Sequence, residues 1–440
     1  MGRHLKPAPA PERMDVVSLA HDGRGVARVD GKTVFVDRSL PGETVLARRV
    51  RRHRRYDEAE LLEVIVPAAG RVEPRCAHFG VCGGCALQHL DGEHQLVAKQ
   101  AHLAEQFARV GHVEPGSWLA PLRGPAWAYR RRARLGAKYV FRKGRVLVGF
   151  RERGKPYVAD LERCEVLAEP VGGLVRELAA LVDSLSIRER LPQFEVAVAE
   201  TATALVARVL DEPSEADRAA MAAFAERHGI EFYLQPGGLD SIVPLCPPAT
   251  ALSYGLPAFD VRIGFEPSDF IQVNAEINAQ AVALALELLD PAPSDAVLDL
   301  FCGLGNFTLP LARRSGRVTG VEGDAGLVAR ARINAGRNGM GNVKFHAADL
   351  AGDPAAAAWA QETYQRVLLD PPRAGAAGVL PLIGRLQPAR IVYVSCHPAS
   401  LAHDAGVLVA EHGFRLAAAG VMDMFPHTAH VESIAVFESG

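Results

Sequence analysis

Two short segments of the 440-residue chain carry residue types suited to covalent catalysis, Asp370-Pro371-Pro372-Arg373 and Ser395-Cys396-His397-Pro398. Each follows an apolar run, RVLL and RIVYV, with the length and β-branched content of a buried strand. An acid, a guanidinium and a thiol are therefore expected at neighbouring strand ends. A thiolate there can act as a nucleophile. A thiol of ordinary pKa, about 8.5, is only a few per cent ionised at neutral pH, so such a site is expected to depress it through strand-end dipoles or nearby cations. The plainer alternative, a buried inert cysteine, fits a strand end opposite DPPR less well. Glu432, in HTAHVES beside the last strand, is the candidate base. Cys302, in a glycine turn, and Cys246, in PLCPP, read as structural.

The elements that must position these groups form a regular series. After the helical pattern NAQAVALALELL come AVLDLF, RVTGVEG, VKFHAAD, RVLLDPP and RIVYVSC, each separated by helical patterning, then FRLAAAGVMDM and HVESIAVFE. This is the pattern of a parallel doubly wound sheet closed by a hairpin, an α/β fold. Ligands of such sheets sit at the carboxyl ends of the strands, where strand order reverses. The first strand runs into DLFCGLGNF, where Gly303 and Gly305 let the backbone turn tightly and approach a ligand. The second ends at Glu322, placed to accept hydrogen bonds from ribose hydroxyls, and the third at Asp349, suited to an adenine amino group. Ordinary turn and cap residues are the bland reading. Dinucleotide binding is the rival, but GLG lacks the third glycine of GxGxxG and the next strand ends in DPPR, which favours a methyl donor.

A nucleoside methyl donor beside a thiol and a carboxylate points to one reaction. Carbon 5 of uracil is a poor nucleophile, and a thiolate adding to carbon 6 creates an enolate whose carbon 5 can attack a sulfonium methyl. A base, Glu432, then removes the carbon 5 proton, and elimination of Cys396 releases the product.

The remaining cysteines form a separate set, Cys76, Cys82 and Cys85 in RCAHFGVCGGCALQH and Cys164 in DLERCEVL. Zinc or an iron–sulfur cluster would suit four thiolates; a triplet with a remote fourth is more like a 4Fe–4S site than a zinc ribbon with two CxxC pairs. Upstream, residues 12–66 alternate short β-rich runs with turn signals, the signature of a small antiparallel barrel of the oligonucleotide-binding type or of one that only packs on the rest of the chain. The first 56 residues hold 13 Lys and Arg against 6 Asp and Glu, a net of +7 within a chain of net charge −2. The run Arg48, Arg49, Arg51, Arg52, Arg54 and Arg55 and the cluster Arg130, Arg131, Arg132 and Arg134 beside Trp127 and Tyr129 favour a phosphate backbone over two merely solvated faces. Residues 71–265 mix one helix with strand-like runs, a central α+β region, and DPAAAAWAQE reads as a surface helix. No apolar run is long enough to cross a bilayer and MGRHLKPAPAPER lacks the apolar core of a secretion signal, so a cytoplasmic protein with no membrane partner is expected. Monomer is the default state.

FCGLGNF, DPPRAG, SCHPASL and HTAHVES, in that order, resemble the RNA uracil-5 methyltransferases over nearly the whole chain. Within that family, a barrel ahead of CxxxxxCGGC resembles the members acting on 23S ribosomal RNA, with transfer RNA as the alternative substrate. The resemblance implies a TRAM barrel in 1–70, a central domain with an iron–sulfur cluster in 71–265, and a Rossmann-like class I methyltransferase domain in 266–440 that uses S-adenosylmethionine. It further implies a 4Fe–4S cluster on Cys76, Cys82, Cys85 and Cys164. Cofactor contacts would come from Gln272, Phe301, Asn306, Glu322, Asp349 and Asp370, with Cys396 as nucleophile and Glu432 as base. His397 departs from the family, which more often has asparagine after the nucleophile. An RNA-binding protein with an inactive methyltransferase fold is the rival of another class, and intact Cys396 and Glu432 argue against it.

Overall fold

The computed structural model describes residues 9–440. Part of the stretch read for a secretion signal, and the start of the 1–70 segment, lie outside the described residues. The chain forms two compact units. One comprises the chain up to Lys99 with Glu152–Lys155 and Pro426–His430; the other comprises Gln100–Arg151, Pro156–Phe425 and Val431–Gly440.

In the first unit, β1 (Glu12–Leu19), β2 (Gly25–Val29), β3 (Lys32–Val36), β4 (Thr44–Arg52) and β5 (Tyr56–Val66) close into a barrel in the order β1-β2-β3-β5-β4. Alternation along the strands sends Met14, Val16, Ala27, Val34, Val36, Val45, Ala47 and Ala59 inward, as a closed sheet with one apolar face requires. The arginine run divides by this alternation. Arg49 is bound to Asp57 and Glu12, both at 2.9 Å, and Lys32 completes the cage around the buried Asp57 at 2.6 Å. Arg51, Arg52, Arg54 and Arg55 are exposed at the β4–β5 turn, where His53 stacks on Tyr56 with ring centroids 4.4 Å apart. The cysteine-rich loop with Cys76, Cys82 and Cys85 belongs to this unit.

The second unit holds both the central region and the doubly wound sheet. After the two-residue strand β6 (Ser117–Trp118) come β7 (Arg132–Val140), β8 (Arg145–Gly149), β9 (Gln193–Val198), β10 (Thr203–Arg208), β11 (Glu231–Gln235) and β12 (Val243–Pro244). β7 to β12 form a sheet ordered β12-β11-β10-β9-β7-β8, and β13 (Leu252–Leu256) pairs with β14 (Val261–Phe265) as a ribbon. The remaining strands are β15 (Ala296–Leu300), β16 (Arg317–Glu322), β17 (Val343–Ala347), β18 (Arg366–Leu369), β19 (Arg390–Ser395), β20 (Phe414–Met422) and β21 (Glu432–Ser439). With β6 they give an eight-stranded sheet ordered β17-β16-β15-β18-β19-β21-β20-β6. β15 to β19 are parallel and β21 runs antiparallel between β19 and β20, so the expected doubly wound sheet with a terminal hairpin is present. Strand order reverses between β15 and β18, which fixes where a ligand site should open.

Two expectations fail locally. DPAAAAWAQE is not a surface helix: only Ala358–Gln361 makes a 3-10 turn, with Trp359 and Ala360 buried. Asp353 turns the chain by accepting from the Ala355 amide at 2.9 Å, and burial of the indole overrides alanine's helical propensity. The YRRRAR segment is only in part the exposed cationic cluster expected: Arg134 stays exposed, while Arg131 and Arg132 are drawn inward. Arg131 is buried, its Nε donates to the Gln272 carbonyl at 2.8 Å, and its guanidinium lies 4.5 Å from the Tyr254 ring centroid. Arg132 and Arg134 share Glu195 at 3.0 and 2.7 Å.

Candidate active site

The parallel register brings the named strand ends to one edge. Leu300 pairs with Val321 on one side and Leu369 on the other, and Leu369 pairs with Tyr393, so Phe301, Glu322, Asp370 and Cys396 all leave their strands at the carboxyl edge. Asp349, two residues beyond β17, is exposed and accepts from the Ala351 amide at 2.9 Å.

The first strand end is built as a binding floor. Phe301 has φ 66° and is followed by Gly303 at φ 53° and Gly305 at φ 93°. A left-handed aromatic residue is strained, and such strain is characteristic of ligand sites. A Cβ at Gly303 would meet nothing within 4 Å, so the loop leaves room for a ligand. The Gly303 amide donates to Glu322 at 3.1 Å and the Asp324 amide donates to the same carboxylate at 3.0 Å. The loop and Glu322 are thereby locked together. Asn306 is held by the fold itself: its Oδ1 accepts from Tyr254 and Asn278 at 2.9 and 3.0 Å, and its Nδ2 donates to Asn278 at 2.9 Å. That leaves its amide one further N–H to offer a ligand. Gln272 is half-buried with its carbonyl on Arg131. A cavity of about 710 Å³ beside Asp324, lined by Phe270, Leu327 and Arg330 among others, includes neither Cys396 nor Glu432.

The second strand end is built for proton chemistry. Ser395 pairs with Ser433, so the next position sets Cys396 across from Glu432, and the Ser433 hydroxyl pins the Ser395 carbonyl at 3.1 Å. Burial pushes the Glu432 carboxyl well above the usual range; the Asp370 charge adds to this and Arg373 opposes it. Burial and the Glu322 charge push Asp370 up to about 7. Cys396 is pushed up to about 11 by burial, with Glu432 and Asp370 adding and Arg373 opposing. The expected depression of this thiol is therefore corrected. Two carboxyls and desolvation outweigh the one cation, and the thiol keeps its proton.

Sequence reasoning singled out His397 but missed Ser400 and Asp404, which help hold this edge together. His397 begins the helix Pro398–Ala410 as its N-cap, its Nδ1 lying 3.3 Å from the Ser400 amide and 2.7 Å from the Ser400 hydroxyl. An imidazole nitrogen thus fills the N-cap role for which an asparagine side-chain oxygen is also suited. The Ser400 hydroxyl donates to the Arg373 carbonyl at 2.6 Å. Asp404, buried, takes the Ala376 amide and the Tyr393 hydroxyl, both at 2.7 Å. Their only sequence signal was helical spacing after Pro398.

Cys302 is buried and raised well above the usual thiol range by desolvation, as a structural thiol should be, whereas Cys246 is exposed. In the first unit, the Gly84 amide lies 3.4 Å from Cys82 Sγ and the Cys76 amide donates to Gln88 at 3.1 Å. Cys164 belongs to the second unit. Among the described residues, no group of three or more His, Cys, Asp and Glu that could hold a metal ion is present.

The model of the family described as tRNA (uracil-5-)-methyltransferase matches residues 260–439. The chain is 52% identical over 435 residues to a protein of Methylococcus capsulatus named 23S rRNA (uracil(1939)-C(5))-methyltransferase RlmD, covering 98% of each. It is 53% identical over 440 residues to the protein of that name from Alkalilimnicola ehrlichii, covering 100% of this chain and 99% of that one. In fold it is similar to the Pyrococcus abyssi tRNA (uracil-54, C5)-methyltransferase solved in complex with S-adenosyl-L-homocysteine, with TM-score 0.74 and 23% identity over 97% of this chain and 99% of that one. With about half its residues identical to these relatives from end to end, the chain belongs to the RNA uracil-5 methyltransferase family.

Proposed function

We propose that this chain transfers a methyl group from S-adenosylmethionine to carbon 5 of a uracil in 23S ribosomal RNA, through a covalent bond from Cys396 to carbon 6. The placement of Cys396 beside Glu432, one step beyond the Ser395–Ser433 pair of β19 and β21, carries the reading, because a thiol and a carboxyl at one edge suit a nucleophile and a proton acceptor. The names of the relatives support the ribosomal substrate.

The open space over Gly303 and the amide-locked Glu322 suit an adenosine bearing a methionine tail. Gln272, Phe301, Gly303, Gly305, Asn306, Glu322, Asp349 and Asp370 would hold it. When bound, S-adenosylmethionine supplies an electrophilic methyl on a sulfonium, whose positive charge eases ionisation of the acids around it as Arg373 does. Cys396 releases its proton to water as its sulfur bonds to carbon 6, and the negative charge moves onto the ring to make carbon 5 nucleophilic. After carbon 5 is methylated, Glu432 as carboxylate takes its proton, and the carbon–sulfur electron pair returns to Cys396. A carboxyl whose proton affinity is raised by burial is a strong base once ionised, which suits this abstraction.

The 4Fe–4S cluster belongs to the same reading, on Cys76, Cys82, Cys85 and Cys164, with the CGGC turn offering amides to sulfur as at Cys82. Anaerobically purified protein should be brown and contain iron; colourless protein with stoichiometric zinc would overturn it. For the substrate, methyl mapping on ribosomal and transfer RNA from a strain lacking the gene should show loss of one 23S 5-methyluridine. Loss from transfer RNA instead would reassign it.

A further inference from the structure

The hairpin of β7 and β8 ends in an unusual tip. Phe141 is 76% exposed, more than any other large apolar side chain among the described residues. It does not flop freely. The turn is closed by the Lys143 and Gly144 amides on the Val140 carbonyl at 2.9 and 3.0 Å, and Gly144 takes the left-handed φ of 64° that the reversal needs. Phe141 meets Tyr139 edge to face with centroids 5.1 Å apart, and the Arg188 guanidinium lies 4.6 Å from the Tyr139 centroid. A cation, a ring and a second, uncovered ring thus form a ladder held in place before any ligand arrives.

The hairpin segment itself carries charge of one sign. From Lys138 to Arg145 there are four cations, Lys138, Arg142, Lys143 and Arg145, and no acid. Asp160 binds Lys143 and Arg145 at 2.5 and 2.6 Å, while Lys138 and Arg142 are exposed. Rigid exposed aromatics between cations are how proteins grip single-stranded nucleic acid: bases stack on rings and cations meet phosphates, with little sequence preference.

We propose that this tip is a stacking platform for an unpaired base of the RNA strand flanking the target uracil, with Lys138 and Arg142 on the adjoining phosphates. It rests on the reading that the chain acts on RNA. β7 spans nine residues from Arg132, next to the Arg131 that holds Gln272, to Val140, so the tip lies roughly 26 Å along the strand from the cofactor end. The contact therefore serves the flank and not the reacting base.

The test is equilibrium binding of the full-length protein to a labelled oligouridine of about 20 nucleotides, long enough to cover a single-strand site. S-adenosylhomocysteine binding is measured alongside as a readout of the folded catalytic edge. Phe141→Ala should weaken RNA binding about ten-fold or more, the loss of one base stack, and leave S-adenosylhomocysteine binding unchanged. Phe141→Trp should retain affinity. Arg142→Gln should weaken binding and flatten the dependence on log salt by about 0.7, one phosphate contact to a single strand. Phe141→Ala with wild-type RNA affinity and intact S-adenosylhomocysteine binding would overturn the platform alone. Wild type that binds S-adenosylhomocysteine but no RNA would overturn the RNA reading and the platform with it.

Discussion

The strand ends at Phe301 and at Cys396 share one sheet edge, yet they solve opposite problems. At the first, a strained backbone, two left-handed glycines and an amide-locked Glu322 make a fixed floor whose polar groups are already satisfied. At the second, Cys396, Glu432 and Asp370 are crowded so that burial and mutual repulsion hold protons on them, with Arg373 as the opposing charge. Binding needs groups that do not change state, and chemistry needs groups poised to. The two cysteines show it most simply: Cys302 is sealed under the floor, while Cys396 is only half-buried beside its acids.

The largest effect should separate these two thiols. Cys396→Ser is expected to cut methylation on the order of 10³-fold or more, as removal of a covalent nucleophile does. Cys302→Ala should stay within about three-fold of wild type, since a buried inert thiol acts by packing alone. Equal losses would erase the distinction. Gly303→Val sharpens it from the other side: a β-branched residue at φ 53° is strained by about 1–3 kcal/mol and fills the ligand's space. The Michaelis constant for S-adenosylmethionine should rise about ten-fold or more by that strain, with Cys396 alkylation in the unliganded protein unchanged.

Much of the catalytic edge was legible because a parallel sheet writes itself plainly. Each strand is a short apolar run, and the residues at its end could be placed at the carboxyl edge, as Glu322, Asp370 and Cys396 were, without knowledge of their neighbours. What escaped depends on contacts distant in sequence. Arg132 looked like part of an RNA surface, but Glu195, some sixty residues on, holds it largely out of solvent, while Arg134 binds the same carboxylate from an exposed position. The hold of Tyr254 and Asn278 on Asn306, which leaves one N–H of its amide for a ligand, was likewise invisible in the motif. The direction in which the Cys396 thiol moves could not be read from residue types, since it depends on whether Glu432 and Asp370 or Arg373 wins at close range.

That balance gives the next test. Arg373 favours the thiolate, so Arg373→Met should move the Cys396 titration upward from about 11. At any fixed pH below that midpoint, each tenfold loss of thiolate should slow alkylation by iodoacetamide about ten-fold. A profile that stays put or moves down would show that Arg373 acts otherwise. The smallest effect is expected from Ser400→Ala, which frees the Arg373 carbonyl at a cost near that of one hydrogen bond, about 1 kcal/mol or roughly five-fold in rate, with Ser400→Thr restoring it.

The central claim is that Cys396 bonds to the target uracil and Glu432 ends that bond. Glu432→Gln keeps the shape of the base while removing its ability to take the carbon 5 proton, so methyl transfer should proceed and release should stop. Incubated with 23S ribosomal RNA and radiolabelled S-adenosylmethionine, this variant should give a protein–RNA adduct that survives denaturing electrophoresis, carries the label and disappears when Cys396→Ser is added to it. Free methylated RNA released at the wild-type rate, with no adduct, would contradict the account.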